Sequence, residues 1–161
     1  LSAAEVTLKR VDDRVRVEVG GKLFTEYVFK DGPKPYFYPV LAADGTELMR
    51  NFPMKKGVPG EVEDHPHHRS LWFTHGDVNG IDFWNEGTGD AGRSPKEKGH
   101  TVLDGKIETT DGAIGVLRAR NRWLAPDLFR FGASSLLGDI ERQLEHHLTG
   151  AYSASWRHAL A

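Results

Sequence analysis

Cysteine is absent from this chain of 161 residues. Its absence excludes disulfides, thiolate metal sites and cysteine nucleophiles. Any metal would have to be held by His, Asp or Glu side chains. A chain without cysteine suits both the cytoplasm and an exported compartment, so cysteine usage does not decide between them.

Long apolar runs and an excess of basic charge are also missing. No stretch approaches the roughly 20 consecutive apolar residues that a membrane-spanning helix needs. The 21 basic and 23 acidic residues give a formal net charge of -2 and are spread along the chain. The sequence therefore predicts no basic face for binding a run of phosphates, and we expect neither nucleic acid nor a membrane as partner.

The residues that are present carry β-strand signals as far as position 124. Apolar and charged residues alternate between Val6 and Phe29, with Val15, Val17 and Val19 on one face of an extended chain. Turn signals follow at Gly20-Gly21, Asp31-Gly32-Pro33, Asp44-Gly45, Asn79-Gly80 and Asp111-Gly112, and strands are predicted at 36–41, 47–52, 70–75, 81–84, 101–110 and 113–123. The pattern predicts a mostly β, antiparallel, sandwich-like domain over residues 1–126.

The character of the sequence changes after Pro126. Ser134 or Ser135 can cap a helix that continues at helical spacing to Leu148. We therefore predict a C-terminal helix and treat residues 127–161 as an atypical tail. The tail is either a helix that packs on the sheet or a sequence that has left its original reading frame.

The densest group of reactive side chains lies in the segment 64–86. Four of the eight histidines fall within eleven positions there, at His65, His67, His68 and His75. On an extended chain His65 and His67 project from the same face, so their imidazoles can share one ion. A third ligand can come from His75, Asp77, Asp82 or Glu86, and we take His75 as the first candidate. This pattern predicts one divalent transition metal as a candidate cofactor.

Two other interpretations of the same segment stay open. Imidazole titrates near neutrality, so His67 or His68 can act as acid or base, with Arg69 holding a sugar hydroxyl or a carboxylate and Asp77 orienting a ring. Alternatively, His68 and Arg69 hydrogen-bond to loop carbonyls and only hold a long connection in place. Nearby, Trp72 and Trp84 can stack on a pyranose ring, although tryptophan in a sheet is also a common core residue.

Four motifs resemble the PmoA-like family of exported bacterial proteins. They are Pro35–Val40, Arg50–Met54, Asp64–Phe73 and His75–Trp84, within a resemblance that covers residues 5 to about 126. Members of that family are longer than this chain and are usually labelled methane oxygenase. The label implies a metal-dependent oxidoreductase, but the methane monooxygenase subunit of the same name spans the membrane several times and this sequence predicts no span.

The order of these motifs is also similar to that in aldose epimerases, which are β-supersandwiches that open and close sugar rings. The similarity implies a histidine acid, His67 or His68, with a carboxylate base in the second half of a longer relative. It also implies that Arg50 and Arg69 contact sugar hydroxyls. We predict further substrate-binding residues at Asn51, Trp72, Asp82 and Trp84.

Export is expected from the family resemblance and from the first four residues. Ser2 and Ala4 have the spacing of small residues that precedes a signal-peptidase cut. The leading hypothesis is therefore a periplasmic protein that binds or processes a saccharide in a His-rich cleft. The alternatives are a metal-dependent oxidoreductase or metal-binding module, and a non-catalytic binding domain.

Overall fold

A computed structural model describes residues 5–85 and 97–125, and every regular element in these ranges is a β-strand. All strand pairs are antiparallel. The prediction of a mostly β, antiparallel fold is confirmed. No helix in the described ranges is long and apolar enough to cross a bilayer. The predicted C-terminal helix, residues 1–4 and Glu86 lie outside the described residues.

Five strands form one sheet in chain order. They are β1 (Val6–Val11), β2 (Arg14–Val19), β3 (Lys22–Val28), β4 (Tyr36–Val40) and β5 (Leu71–Trp72). The predicted inward face of β2 is confirmed at Val15 and Val17, which are 0% and 4% exposed. It fails at Val19, which is 38% exposed, because that residue ends the strand beside the turn. The sequence prediction also missed the turn at Asp12 and Asp13 that separates β1 from β2.

Four shorter strands follow in two pairs. β6 (His100–Leu103) pairs with β9 (Asn121–Leu124), and β7 (Glu108–Thr110) pairs with β8 (Val116–Arg118). The two long strands predicted here are therefore each interrupted. Asp104 lies at the interruption, where its carboxylate binds Arg120 at 3.0 Å and Arg122 at 2.7 Å.

The main core lies between the five-stranded sheet and these later strands. Its buried residues are Val6, Leu8, Val15, Val17, Tyr27 and Phe29, and the side chains that pack on them from the later strands and their loops are Leu103, Ile107, Leu117 and Ala119. The two parts also touch through their backbones, because Val6 and Gly112 exchange hydrogen bonds of 2.8 and 3.0 Å. A Cβ at Gly115 would lie 2.3 Å from the Val6 side chain, so this contact requires glycine.

The region between β4 and β6 is mostly irregular. The strand predicted at 47–52 is wrong, because only Glu47 bridges to Leu41. Glu61 Oε1 accepts the backbone N–H groups of Asn51 and Phe52 at 2.7 and 2.9 Å and so holds the chain in a loop. Farther along, the predicted strand at 70–75 shortens to β5, and the one at 81–84 is reduced to isolated bridges.

Candidate functional site

The predicted tight turn at Asn79-Gly80 is confirmed. Both residues have positive φ angles, 53° and 82°, and Val78 and Ile81 on either side exchange backbone hydrogen bonds of 2.9 and 3.0 Å. This geometry is that of a type I′ hairpin turn. Asp77 belongs to the same turn, since its Oδ1 accepts the N–H of Gly80 at 3.0 Å.

Arg50 ties the start of the histidine segment to the chain that follows β4. Its Nη2 donates to the carbonyls of Val62 and Asp64 at 3.1 and 2.7 Å and to the Asp64 carboxylate at 3.2 Å. The neighbouring Asn51 is buried, donates to Glu47 at 2.6 Å and accepts from the Tyr38 hydroxyl at 2.7 Å. The structure thus places both predicted substrate-binding residues in contacts within the protein, and their roles toward a sugar stay predictions.

Three imidazoles come together in the turn that follows. The ring centroid of His68 lies 5.0 Å from that of His65, in a stacked arrangement, and 4.3 Å from that of His67. His68 also donates its backbone N–H to the carbonyl of His65 at 2.9 Å. His65 and Ser70 bracket the turn with φ angles of 48° and 54°, a left-handed conformation that costs a non-glycine residue about 1 kcal/mol.

Two tryptophans complete this group, which we call the His–Trp cluster: His65, His67, His68, Trp72 and Trp84. Centroid distances from His68 are 5.2 Å to Trp72 and 5.7 Å to Trp84, and the two indoles are 5.8 Å apart at 60°. Trp84 is 39% exposed and Trp72 is half-buried. The cluster therefore presents an indole and part of an imidazole to solvent.

The two candidate acids differ in access. His67 is 3% exposed, whereas His68 is only partly buried. Burial lowers the pKa of His68, and the nearby His67, His65 and Arg50 lower it further because positive charge disfavours the imidazolium. His68 is therefore neutral near pH 7, and of the two it is the one that a ligand can reach.

A carboxylate orients the ring of His65. His65 Nδ1 lies 2.8 Å from Asp64 Oδ2, and this hydrogen bond, followed by that of Arg50, lowers the pKa of Asp64. A ring that donates through Nδ1 presents its other nitrogen, Nε2, as an acceptor when neutral. The arrangement is able to move a proton at the solvent-exposed edge of the cluster.

Arg69 packs on the loop that precedes β4. Its guanidinium lies 5.6 Å from the ring centroid of Tyr36, and a Cβ at Gly32 would come within 3.1 Å of the Arg69 Cζ. The Tyr36 hydroxyl donates to Asp31 at 2.9 Å. The contacts around Arg69 are thus within the protein, and its catalytic role stays a prediction.

Asp82 is 1% exposed and organises the turn that carries Trp84. Its carboxylate accepts the N–H groups of Trp84 and Asn85 at 2.8 and 3.1 Å, the Asn85 amide at 2.8 Å and the Lys98 ammonium at 2.7 Å. Burial alone would raise the pKa of Asp82, but these hydrogen bonds outweigh it and hold the pKa well below its usual range. Asp82, which the sequence predicted to bind substrate, thus makes its hydrogen bonds within the protein, and its role toward a sugar stays a prediction.

Sequence reasoning missed Lys34, which is 3% exposed. Its Nζ donates to the carbonyls of Trp84 and Phe83 at 2.6 and 3.3 Å and lies 5.9 Å from the ring centroid of Trp72. A signal exists in the sequence, since Pro33 and Pro35 flank the lysine and restrict its backbone.

The predicted metal ligands do not form a coordination sphere. Within residues 5–85 and 97–125, no three His, Asp or Glu side chains are arranged to hold a metal ion. His75 instead accepts the backbone N–H of Asp77 at its Nδ1, 3.1 Å away. The set His65, His67 and His75 is not assembled here.

Comparison with known proteins shows that the chain belongs to the family of unknown function DUF6807, whose model matches residues 14–155. The match includes both sides of the predicted boundary at residue 126. A stretch of 34 residues, 21% of this chain, is 71% identical to deoxyribose-phosphate aldolase of Mus musculus and 65% identical to that of Homo sapiens. The chain covers 11% of the length of these curated relatives. No solved structure matches the chain significantly.

Proposed function

We propose that this member of the DUF6807 family binds a saccharide at the His–Trp cluster. The supporting observation is the edge-to-face contact of the exposed Trp84 with His68, at a centroid distance of 5.7 Å. An exposed indole offers an apolar surface for the C–H face of a pyranose. A neutral imidazole beside it can donate to one hydroxyl and accept from another.

The same site is suited to proton transfer at the bound sugar. His68 is neutral near pH 7 for the electrostatic reasons given above, and a neutral imidazole serves as a general base or, once protonated, as a general acid. His65, whose ring is held by Asp64, is a second imidazole in the same cluster. The resemblance to aldose epimerases supports this extension, and a supersandwich of the mutarotase type is part of the same proposal.

Export to the periplasm is part of the same proposal, supported by the resemblance to the PmoA-like family. The alternative of a metal-dependent oxidoreductase needs a ligand set that residues 5–85 and 97–125 do not assemble. The sugar-binding role is supported instead by the exposed indole of Trp84 beside His68.

Calorimetric titration with D-glucose, D-galactose, D-xylose and cellobiose tests the proposal. We expect at least one to bind with about millimolar affinity, and Trp84→Ala to weaken that binding about tenfold, or 1.4 kcal/mol. The matched control is Phe73→Ala, since Phe73 is 37% exposed but packs on Trp123 at 5.9 Å instead of on the cluster.

Two outcomes would overturn the proposal. One is a folded protein that binds none of these saccharides. The other is a stoichiometric transition metal found by elemental analysis of the dialysed protein and lost in a variant with His65→Ala and His67→Ala, which would favour metal chemistry.

A further inference from the structure

Lys34 is buried, although lysine almost always keeps its ammonium in water. Removing an ammonium from water is costly unless hydrogen bonds replace those of the solvent. Here two consecutive carbonyls, those of Phe83 and Trp84, accept from Nζ at 3.3 and 2.6 Å. The ammonium is thus bound to the main chain that carries one tryptophan of the cluster.

The same ammonium also contacts the other tryptophan. Nζ lies 5.9 Å from the ring centroid of Trp72, a distance at which a cation is attracted to the face of an indole. Trp72 belongs to β5, which pairs with β4 only two residues after Lys34. The side chain of Lys34 therefore contacts both β5, which carries Trp72, and the irregular turn that carries Trp84.

The local sequence restricts the backbone on both sides of this lysine. Pro33 fixes its own φ angle, and Pro35 restricts Lys34 to extended conformations. The Pro33 carbonyl accepts the N–H of Thr101 at 2.7 Å, which anchors the dipeptide to β6. The backbone of Lys34 is thus restricted on both sides, and the hydrogen bonds to the carbonyls hold the end of its side chain.

We propose that Lys34 is a positioning residue that fixes the angle between the indoles of Trp72 and Trp84 and thereby sets the affinity of the saccharide site. Without the ammonium, the carbonyl of Trp84 loses this donor, the carbonyl of Phe83 keeps the hydroxyl of Thr74 as a donor, and the cation that contacts both this turn and the face of Trp72 is gone. The part of this inference that concerns saccharide affinity rests on the proposed function. The part that concerns the angle between the two indoles does not. Its test therefore includes a measurement made without any ligand.

The variants are Lys34→Met, which keeps the apolar stem but removes the donor, and Lys34→Arg, which keeps charge and donors. Lys22→Met is the matched control, because it removes an ammonium that also donates to a backbone carbonyl, that of Ala43 at 3.4 Å, but is exposed and does not contact the cluster. The first measurement is the exciton couplet of the indole pair in circular dichroism, with Trp84→Phe defining its absence. The second is the affinity for the saccharide that binds wild type best among D-glucose, D-galactose, D-xylose and cellobiose.

We expect Lys34→Met to reduce the couplet to the level of Trp84→Phe and to weaken saccharide binding about tenfold, while Lys34→Arg recovers most of both. Lys22→Met should keep the couplet. If Lys34→Met does not fold, Lys34→Gln, whose shorter side chain cannot reach both carbonyls, replaces it.

A folded variant with an unchanged couplet would overturn the proposal, as would failure of both variants to fold. If the wild-type protein binds none of these saccharides, the proposed function is contradicted. The couplet then still tests whether Lys34 positions the two indoles.

Discussion

The sheet formed by β1 to β3 and the irregular segment 64–85 are held together in different ways. In the sheet, backbone groups bind each other along regular ladders, and the inward valines supply the core. In the segment, charged side chains bind the backbone: Arg50 and Lys34 donate to carbonyls, and Asp82 accepts from N–H groups. Stability should therefore depend on buried apolar volume in the first region and on single charged groups in the second.

The largest expected effect is that of Asp82→Asn. The amide has nearly the shape of the carboxylate but loses the charge opposite Lys98 and one acceptor oxygen. Breaking a buried, hydrogen-bonded pair is expected to lower the free energy of unfolding by about 3 kcal/mol. Urea denaturation followed by circular dichroism measures it.

Asp104→Asn provides the comparison for Asp82. Asp104 is also paired with cationic side chains, but these are Arg120, which is 71% exposed, and Arg122, which is 36% exposed. Exposed pairs contribute little, so this change should cost less than about 1 kcal/mol. Equal losses for the two aspartates would contradict the idea that the segment depends on buried charge.

The next largest effect is expected in the sheet, for Val15→Ala. Val15 is fully buried, and removing its methyl groups from a packed core should cost about 2 kcal/mol. Val19→Ala, on the same strand but 38% exposed, should cost about 0.5 kcal/mol or less. The same denaturation experiment compares them, and a Val19 variant as unstable as the Val15 variant would show that strand alternation does not describe the core.

The contrast between the sheet and the irregular segment also explains which parts of the fold could be predicted from the sequence. Alternation and local turn signals identified the strands at 6–29 and 36–41 and the turn at Asn79-Gly80, because such patterns depend on neighbouring residues. They failed at 47–52, where Glu61, nine residues after Phe52, binds the backbone. They did not predict that Lys34 donates to the carbonyl of Trp84, because the prolines beside Lys34 restrict its backbone but do not indicate a partner 50 residues away.

The candidate site was predictable to a similar extent. The density of histidines indicated where it lies, and the structure brings His65, His67 and His68 together with Trp72 and Trp84. Within the described residues it does not assemble His65, His67 and His75 into a ligand set. The spacing argument for His65 and His67 assumed an extended chain, whereas the chain turns at His65, and His75 accepts the N–H of Asp77. Which imidazole reaches solvent depends on that turn and could not be read from the sequence.

The smallest effect concerns pH. The pKa of His68 is lowered in the folded protein, so the folded state binds fewer protons than the unfolded chain below the ordinary value of 6.5. The contribution of His68 to the free energy of unfolding is therefore fully present above that value and is lost as the pH falls through the folded pKa. Urea midpoints measured between about pH 7.5 and pH 5.5 should decline in wild type and less steeply in His68→Gln. The lowered pKa of Asp64, which also faces the cluster, would contribute only at more acidic pH, because its ordinary value is 3.8. Equal slopes would mean that His68 is as well solvated in the folded state as in the unfolded chain, and its role as the neutral group beside Trp84 would then lose its physical basis.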